Sequence, residues 1–407
     1  MSRRRRWQKI ALVAGAFGVT VSAAMKMLSA KVQIKGHKMK TILRFLFIGL
    51  ALLAGVHSTF AQVTNLGIAA VGHQSLLYWP AASLTNNNYI LQSTTNLAAP
   101  NWITEKYPMS VTASTVSNTT SVKFFRLVYT NPPAGMALIP AGSFTMGDSL
   151  DGQNDAIPTN IYVSAFYMDT NLVSYSLWQT VYNAAITFYG YGFANVGAGK
   201  GPTHPVQTVD WYDCVKWCNA RSQLVGLTPA YYTDAGLTQV YKTGEVTPYV
   251  NWAANGFRLP TEAEWEKAAR GGLSGCRFPW GNLISESQAD YSGDTGDYSY
   301  DRGPNGYNSI GTIGGMIPAT TPVGTFDVNG YGLYDMTGNV FEWCWDWYGT
   351  QYGQPSPTNP TGASGYLRVF RGGNFGNPAP NARCAYRNYN GPTFANIGFG
   401  FRCVRGL

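Results

Sequence analysis

The sequence predicts an α+β protein with little regular secondary structure, preceded by a small all-β, sandwich-like module. Three observations carry that prediction. Between residues 62 and 131, short runs of aromatic and branched residues are separated by Asn, Thr and Pro clusters, the texture of strands and turns. Asn131-Pro132-Pro133 then marks a boundary, because an X-Pro-Pro run disfavours continuing either a strand or a helix. Finally, the chain is rich in Gly (46), Trp (12) and Tyr (26) while only 12% of it is charged, which points to loops packed around aromatic side chains. At 407 residues it exceeds one ordinary domain and is long enough for a sizeable core.

Residues 1–61 read as an export segment. They hold 11 Lys or Arg and no acid; setting these aside leaves 18 basic against 21 acidic residues, so the formal +8 becomes a net −3 for the rest. The basic sign belongs to targeting, and nothing points to nucleic acid. Two export-like signals stand in tandem. Arg3–Arg6 and Lys9 precede an apolar run over 10–24, loosely similar to a twin-arginine leader. Lys38-Met39-Lys40 and Arg44 precede a second run over 45–56, and Thr59-Phe60-Ala61 is an acceptable cleavage site. We read Met39 as the true start and 1–61 as removed on export. Each run is shorter than the ~20 residues of a membrane span, so no stable span is expected; an N-terminal anchor is the competing reading. The body is expected outside the cytoplasm: periplasmic, cell-surface or secreted.

In the module over 62–131, the expected strands are Ser75–Trp79, Asn88–Ser93 and Val122–Val128. It is loosely similar to fibronectin type III-like accessory domains of secreted bacterial proteins. It has no Cys and no His/carboxylate cluster, leaving it a spacer or a binding module.

The second domain, 136–405, opens with a hydrophobic strand at Met136–Ile139 and a turn-rich return to Gly147. Phe166–Asp169 precedes a helical run through Leu177, Trp178 and Val181. Trp211, Cys214, Val215 and Cys218 fall at i, i+3, i+4 and i+7, one face of a second helix. His204, the only histidine after residue 73, reads as a structural hydrogen-bonder. Residues 230–256 read as an excursion. Thr261 with Glu264 fits a capping box opening a third helix, whose acids are expected to be structural; Arg270 and Gly271-Gly272 end it.

The stretch Gly330–Trp347 organises the domain: glycines permit a tight path, and Asp335 and Glu342 lie seven residues apart. Oxygen ligands of that kind suit calcium. The competing reading is a buried aromatic turn whose acids bond to backbone amides.

Five motifs stand in order: R-L-P-T-E-A-E-W-E at Arg258–Glu266, F-P-W-G-N at Phe278–Asn282, G-N-V-F-E-W at Gly338–Trp343, R-G-G-N at Arg371–Asn374 and G-F-R-C within Phe399–Cys403. From about Met136 to Arg405 the chain thereby resembles the formylglycine-generating enzyme (sulfatase-modifying factor) family. The resemblance implies an elaborated C-type-lectin-like fold. It implies calcium at Asp335, Gly338, Val340 and Glu342; a second family site would include Asp290, but its other acidic ligand falls near Gly315. It also implies a disulfide between Cys218 and Cys403. Cys384 matches another disulfide position whose usual partner is absent; Cys276 is one candidate partner, and Cys214 with Cys344 is another pairing.

The family's oxidases convert a substrate cysteine to formylglycine with dioxygen, through two cysteines that bind copper(I). The matching interval, Phe375–Ala382, contains no cysteine. Asn374 stands for the family's serine, Phe341 for its tryptophan and Leu172 for an acidic residue. Copper is therefore not expected, and no catalytic residue is assigned. A single His in the domain also excludes the histidine triad of the related iron-dependent sulfoxide synthases. The leading expectation is a calcium-stabilised binding or structural domain. Its groove would be lined by Trp345, Arg371, Asn374, Tyr386, Arg387 and Tyr389 and take a peptide, protein or glycan. The alternatives are a protein-modifying oxidoreductase acting on sulfatase or other protein cysteines, and a purely structural envelope protein.

Overall fold

In a computed structural model of the chain, the described residues are six strands between 67 and 129, and residues 132–407 except 153–154, 312–318, 350–355 and 363. The expected export segment lies outside them. The chain divides into two units after Asn131.

In the first unit β1 (Gly67–Val71), β2 (Gln74–Tyr78) and β5 (Ala113–Ser117) form one antiparallel sheet in the order β1-β2-β5. The strands β3 (Tyr89–Thr94), β4 (Ile103–Lys106) and β6 (Phe124–Tyr129) form a second, in the order β4-β3-β6. Three of the six coincide with the runs expected from sequence. The other three, GIAAV, ITEK and ASTVS, carry no aromatic residue to mark them.

Among its described residues the second unit mixes short strands with three α-helices, an α+β architecture. In one sheet β10 (Phe166–Asp169) lies between β7 (Met136–Ile139) and β19 (Val404–Arg405), joining the two ends of the unit. A hairpin of β8 (Gly142–Met146) and β9 (Thr159–Val163) stands beside it. Helix α1 (Tyr175–Ala184) is capped by Ser174, whose side chain accepts from the Leu177 amide. It runs on into a π-helical turn, Ala185–Tyr189, that Gly190 ends at φ 70°.

Helix α2 (Trp211–Leu224) is capped by Asp210, whose carboxylate accepts from the Asp213 amide at 2.7 Å. The expected apolar face is present, but residues 211–220 are all buried, polar ones included, so α2 is a central helix with a single wet end. Buried polar side chains there are bonded: Asn219 donates to the carbonyls of Tyr231 and Tyr241 and accepts from the amides of Ala230 and Tyr231. The excursion over 230–256 contains a two-residue ladder of β11 (Tyr231–Tyr232) and β12 (Tyr249–Val250). Helix α3 (Glu262–Ala269) has the capping box: Thr261 Oγ1 accepts from the Glu264 amide and Glu264 accepts from the Thr261 amide. Gly271 and Gly272, at φ 56° and 89°, end it.

A second small ladder pairs β13 (Ser292–Gly293) with β14 (Gly306–Tyr307). The main sheet follows, ordered β17-β16-β15-β18 from β15 (Phe341–Trp347), β16 (Arg368–Arg371), β17 (Arg387–Asn390) and β18 (Phe399–Gly400). Its β15–β18 pairing is parallel and the others antiparallel. Trp265 of α3, Cys344 of β15 and Val369 of β16 share one buried cluster, so α3 packs across this sheet.

Candidate functional site

The site is the turn that feeds β15. Asp335 and Asn339 adopt φ 53° and 65°, and Gly338 adopts 79°. Left-handed backbone is costly for most residues, and Asn and Asp tolerate it best after glycine. At Gly338 space adds to the demand: a Cβ there would stand 2.1 Å from the Asp290 carbonyl oxygen. The turn therefore lies directly against the segment carrying Asp290, and the Asn339 amide donates to that carbonyl at 2.8 Å.

Of the candidate calcium ligands, Asp335 and Glu342 are buried at 6% and 0% exposure. Asp335 Oδ2 accepts from the Gly324 amide at 2.8 Å, while Oδ1 has no hydrogen-bond partner. Burial raises the Asp335 carboxyl above its ordinary range, against the Gly324 amide and the charge of Arg402. Glu342 is differently placed. Its Oε2 accepts from Arg402 Nε at 2.7 Å and its Oε1 from Arg402 Nη2 at 2.9 Å. Gly338 and Val340 stand in the turn between them, available through main-chain carbonyls alone. Among the described residues, no three His, Cys, Asp or Glu side chains are grouped to hold a metal. A cation here would depend on one or two carboxylates and neutral oxygens. The orphaned Asp335 Oδ1 fits that chemistry; Glu342, already paired with a guanidinium, fits it less well.

The candidate groove residues are dispersed by burial. Arg371 has no exposed surface: it contacts Glu262 and Glu266 and donates to the carbonyls of Cys384 and Tyr386. Arg387, 5% exposed, donates through Nε and Nη2 to Glu262 at 2.7 and 2.6 Å. Trp345 is 8% exposed and stacks on Tyr231 at 5.3 Å. The remaining three reach the surface. Asn374 is half-buried, its Oδ1 accepting from the Gly376 amide. Tyr386 is half-buried, and its hydroxyl accepts from Asn388 Nδ2 at 2.7 Å. Tyr389 is 43% exposed and lies 4.2 Å from the Tyr348 ring.

The acids of α3 are structural, as expected, but their partners were not foreseen. Glu262 holds Arg387, and Glu266 holds Arg270 and Arg371 while accepting from the Gly147 amide. The signal was present: Glu262 and Glu266 are i, i+4 and so face one way, and Arg371 and Arg387 face each other in the β16–β17 register. Arg368 was also missed. It is fully buried between the Trp211 and Trp347 rings, 3.6 and 3.3 Å from their centroids, with no carboxylate in the described ion pairs. A guanidinium keeps its charge even so, because its intrinsic pKa is very high.

Five of the six cysteines are buried; Cys276 is half-buried. Burial pushes the Cys384 thiol up to about 12 and those of Cys214, Cys218 and Cys344 well above the ordinary value. Reactive thiols need the opposite shift. Cys218 and Cys403 meet with their Sγ atoms 3.5 Å apart. Around Phe341, where the sequence departs from the family's tryptophan, the rings of Phe370 and Phe399 stand 4.6 and 5.3 Å away. Asn374 is followed by a 3-10 turn at Ala379–Ala382. His204 is buried, its Nδ1 3.0 Å from Thr320 Oγ1, and burial lowers its pKa.

Residues 125–407 match the sulfatase-modifying factor enzyme 1-like domain family. The chain is 32% identical over 292 residues to the formylglycine-generating enzyme of Bos taurus, covering 67% of this chain and 75% of that protein. It is 32% identical over 279 residues to the serine/threonine-protein kinase pkn1 of Chlamydia pneumoniae, covering 67% of this chain and 38% of the kinase. Among solved structures, Treponema denticola variable protein 1 aligns with TM-score 0.51 and 25% identity, over 71% of this chain and 97% of that one. CarF aligns with TM-score 0.50 and 28% identity, over 68% and 99%.

Proposed function

The chain belongs to the sulfatase-modifying factor enzyme 1-like family, and on that premise we propose that it is an exported binding protein, stabilised by calcium, rather than an oxidase. One observation carries the reading. The interval 375–382, where the resemblance puts the oxidases' copper-binding thiols, is sulfur-free, and five of the six thiols elsewhere are buried. Copper(I) selects paired soft thiolates, and a lone half-buried Cys276 does not supply them.

The binding face is carried by 374–397. Its charged residues are turned inward, and its outer side chains include the amides and aromatics Asn374, Tyr386, Asn388, Tyr389, Phe394 and Asn396, half-buried or exposed. Rigid rings supply contact area at low entropic cost, and amides supply paired donors and acceptors. That combination suits an uncharged partner, a glycan or the main chain of a peptide or protein. Calcium at Asp335, with the carbonyls of Gly338 and Val340 and with Glu342 as the candidate set, would neutralise buried acid and hold the turn beneath that face.

Export, removal of 1–61 and the domain limits 62–131 and 136–405 belong to the same proposal. The strand orders β1-β2-β5 and β4-β3-β6 support a sandwich-like module ahead of the family domain. No helix among the described residues is long and apolar enough to cross a membrane. The second reading, a protein-modifying oxidoreductase, draws on the identity to the Bos taurus enzyme.

The experiment is metal and thiol analysis of the purified protein, followed by glycan and peptide arrays. Calcium without copper, no reaction with a cysteine-containing substrate peptide under oxygen, and an array hit support the binding reading. Copper at one equivalent, or oxidation of the peptide, returns the oxidase reading to first place.

A further inference from the structure

We propose that Arg368 is the floor of a carboxylate-binding slot, and that the slot takes the acid group of a uronic-acid sugar. Among the described residues six arginines are buried: Arg270, Arg368, Arg371, Arg383, Arg387 and Arg402. Five of them hold a carboxylate at 2.8 Å or less. Arg368 is the exception, with no described Asp or Glu in ion-pair contact and no exposed surface. Burial lowers its pKa to about 9, which leaves it cationic at neutral pH. A buried charge without a counter-ion is costly, and a bound anion removes that cost.

The donors show where the anion sits. A guanidinium carries five N–H groups in one plane. Nη1 of Arg368 donates to the Trp345 carbonyl, Nη2 has only a long contact to Thr247 Oγ1 at 3.5 Å, and Nε has no partner. The Nε–Nη2 edge is thus unused, and such an edge binds a carboxylate through two parallel hydrogen bonds. The flanking rings choose among anions. Trp211 and Trp347 stack with centroids 6.5 Å apart and the guanidinium between them. A flat carboxylate in the guanidinium plane continues that slot without parting the rings, whereas a tetrahedral phosphate or sulfate does not. The neighbouring acids are engaged elsewhere. Glu262 is held by Arg387 and Arg371, Glu264 by Arg258, and Asp346 accepts from the Glu262 amide.

The mouth of the slot is aromatic. Thr247 is exposed, as is every residue from 243 to 247, so a ligand reaches the unused edge by taking the place of its hydroxyl. Trp347 is half-buried, and Trp252, 44% exposed, meets Trp345 edge-on at 6.0 Å. Arg258 lies over the Trp252 ring at 5.2 Å and adds a second cation to the rim. An exposed indole offers apolar area to the C–H face of a pyranose. The acid of a uronic residue stands at the edge of its ring, so one sugar can meet indole and guanidinium together. The slot goes beyond the uncharged partner assigned to 374–397: it is a charge-reading subsite built from α2, β15, β16 and the 230–256 excursion.

The test is calorimetric titration of the purified protein with trigalacturonic acid, its methyl ester and tri-glutamate amide. Wild type binds the acid, and binds the ester and the peptide at least tenfold more weakly. Arg368→Lys, which keeps the charge but not the paired donors, weakens the acid tenfold or more and leaves the ester unchanged. Trp252→Ala, at the exposed rim, weakens acid and ester alike at an unchanged melting temperature. Equal binding of acid and ester overturns the slot, as does a folded Arg368→Lys protein that binds the acid unchanged. Where Arg368→Lys fails to fold, Trp252→Ala decides, and unchanged binding there overturns the slot. Tri-glutamate amide binding as tightly as trigalacturonic acid overturns the sugar assignment, and no binding at millimolar trigalacturonic acid overturns the whole.

Discussion

Glu342 and Arg402 hold each other through two hydrogen bonds, 2.7 and 2.9 Å, with neither side chain measurably exposed. The pair joins β15 to the C-terminal strand segment, and Arg402 also clamps the carbonyls of Tyr334 and Asp335. Breaking such a pair from one side leaves an uncompensated buried charge, at about 3–5 kcal/mol. Glu342→Gln is therefore expected to lower the unfolding free energy, read from urea titration, by an amount in that range. Replacing both, as Glu342→Leu with Arg402→Met, is expected to recover most of the loss, since desolvation of two charges disappears with them.

The same turn separates backbone strain from crowding. Gly332 and Gly338 have φ 80° and 79°, but a Cβ at Gly332 meets nothing within 4 Å, while one at Gly338 meets the Asp290 carbonyl at 2.1 Å. Gly332→Ala should cost only the left-handed penalty, about 1 kcal/mol. Gly338→Ala should cost several times more, because main chain must move. Paired thermal melts of the two variants check this, and equal losses would contradict it.

Asp346 sets a pH dependence. Burial, reinforced by the charge of Glu262, pushes its carboxyl from 3.8 to about 8, while its Oδ2 accepts from the Glu262 amide at 2.7 Å. The folded state thus holds this proton more tightly than the unfolded state. That contribution is complete below the unfolded value of about 3.9 and is lost as pH rises through the folded value near 8. Thermal stability should fall between about pH 5 and about pH 8.5, and Asp346→Asn should shallow the slope. Burial also raises Glu286 and Asp290, so some slope persists.

How far the sequence disclosed this molecule depends on the range of the interaction. The capping box at Thr261 and Glu264 and the glycine stop at Gly271 were legible because each is settled within a few residues. The α2 pattern located a helix but not its complete burial, since polar residues such as Asn219 look solvent-facing until their partners 11 to 22 residues away are known. The groove was hardest. Arg371 and Arg387 read as ligand-facing because exposed arginines usually are, yet both are spent on acids more than 100 positions away. Arg368 gave no signal at all, because its partners are the faces of two tryptophans rather than an acid.

Cys218 and Cys403 are 185 positions apart in the chain and 3.5 Å apart at sulfur. A disulfide needs about 2.05 Å, a short approach that exported, oxidised protein is expected to make. Closing so long a loop restricts the unfolded chain, for up to about 5 kcal/mol in the entropic account. Peptide mapping without reduction should recover the two cysteines crosslinked, and reduction should lower the melting temperature in wild type but not in a Cys218→Ala, Cys403→Ala variant. Recovery of both as free thiols from oxidised protein would count against it.

The binding reading depends on separating surface from support. Tyr389 is 43% exposed, whereas its neighbour two residues back, Arg387, is buried against Glu262 and lies over the Tyr348 ring at 4.5 Å. If the face carried by 374–397 takes a partner, Tyr389→Ser and Asn388→Ala should weaken capture on the array that wild type scores while moving the melting temperature little. Arg387→Ala should do the reverse in kind: it leaves Glu262 with only the longer Arg371 contact at 3.2 Å, lowers stability, and loses capture only in proportion to unfolding. Both classes are needed. A ligand whose capture falls equally with Arg387→Ala and Tyr389→Ser at matched folded fraction binds elsewhere, because an inward-facing guanidinium cannot contact it directly.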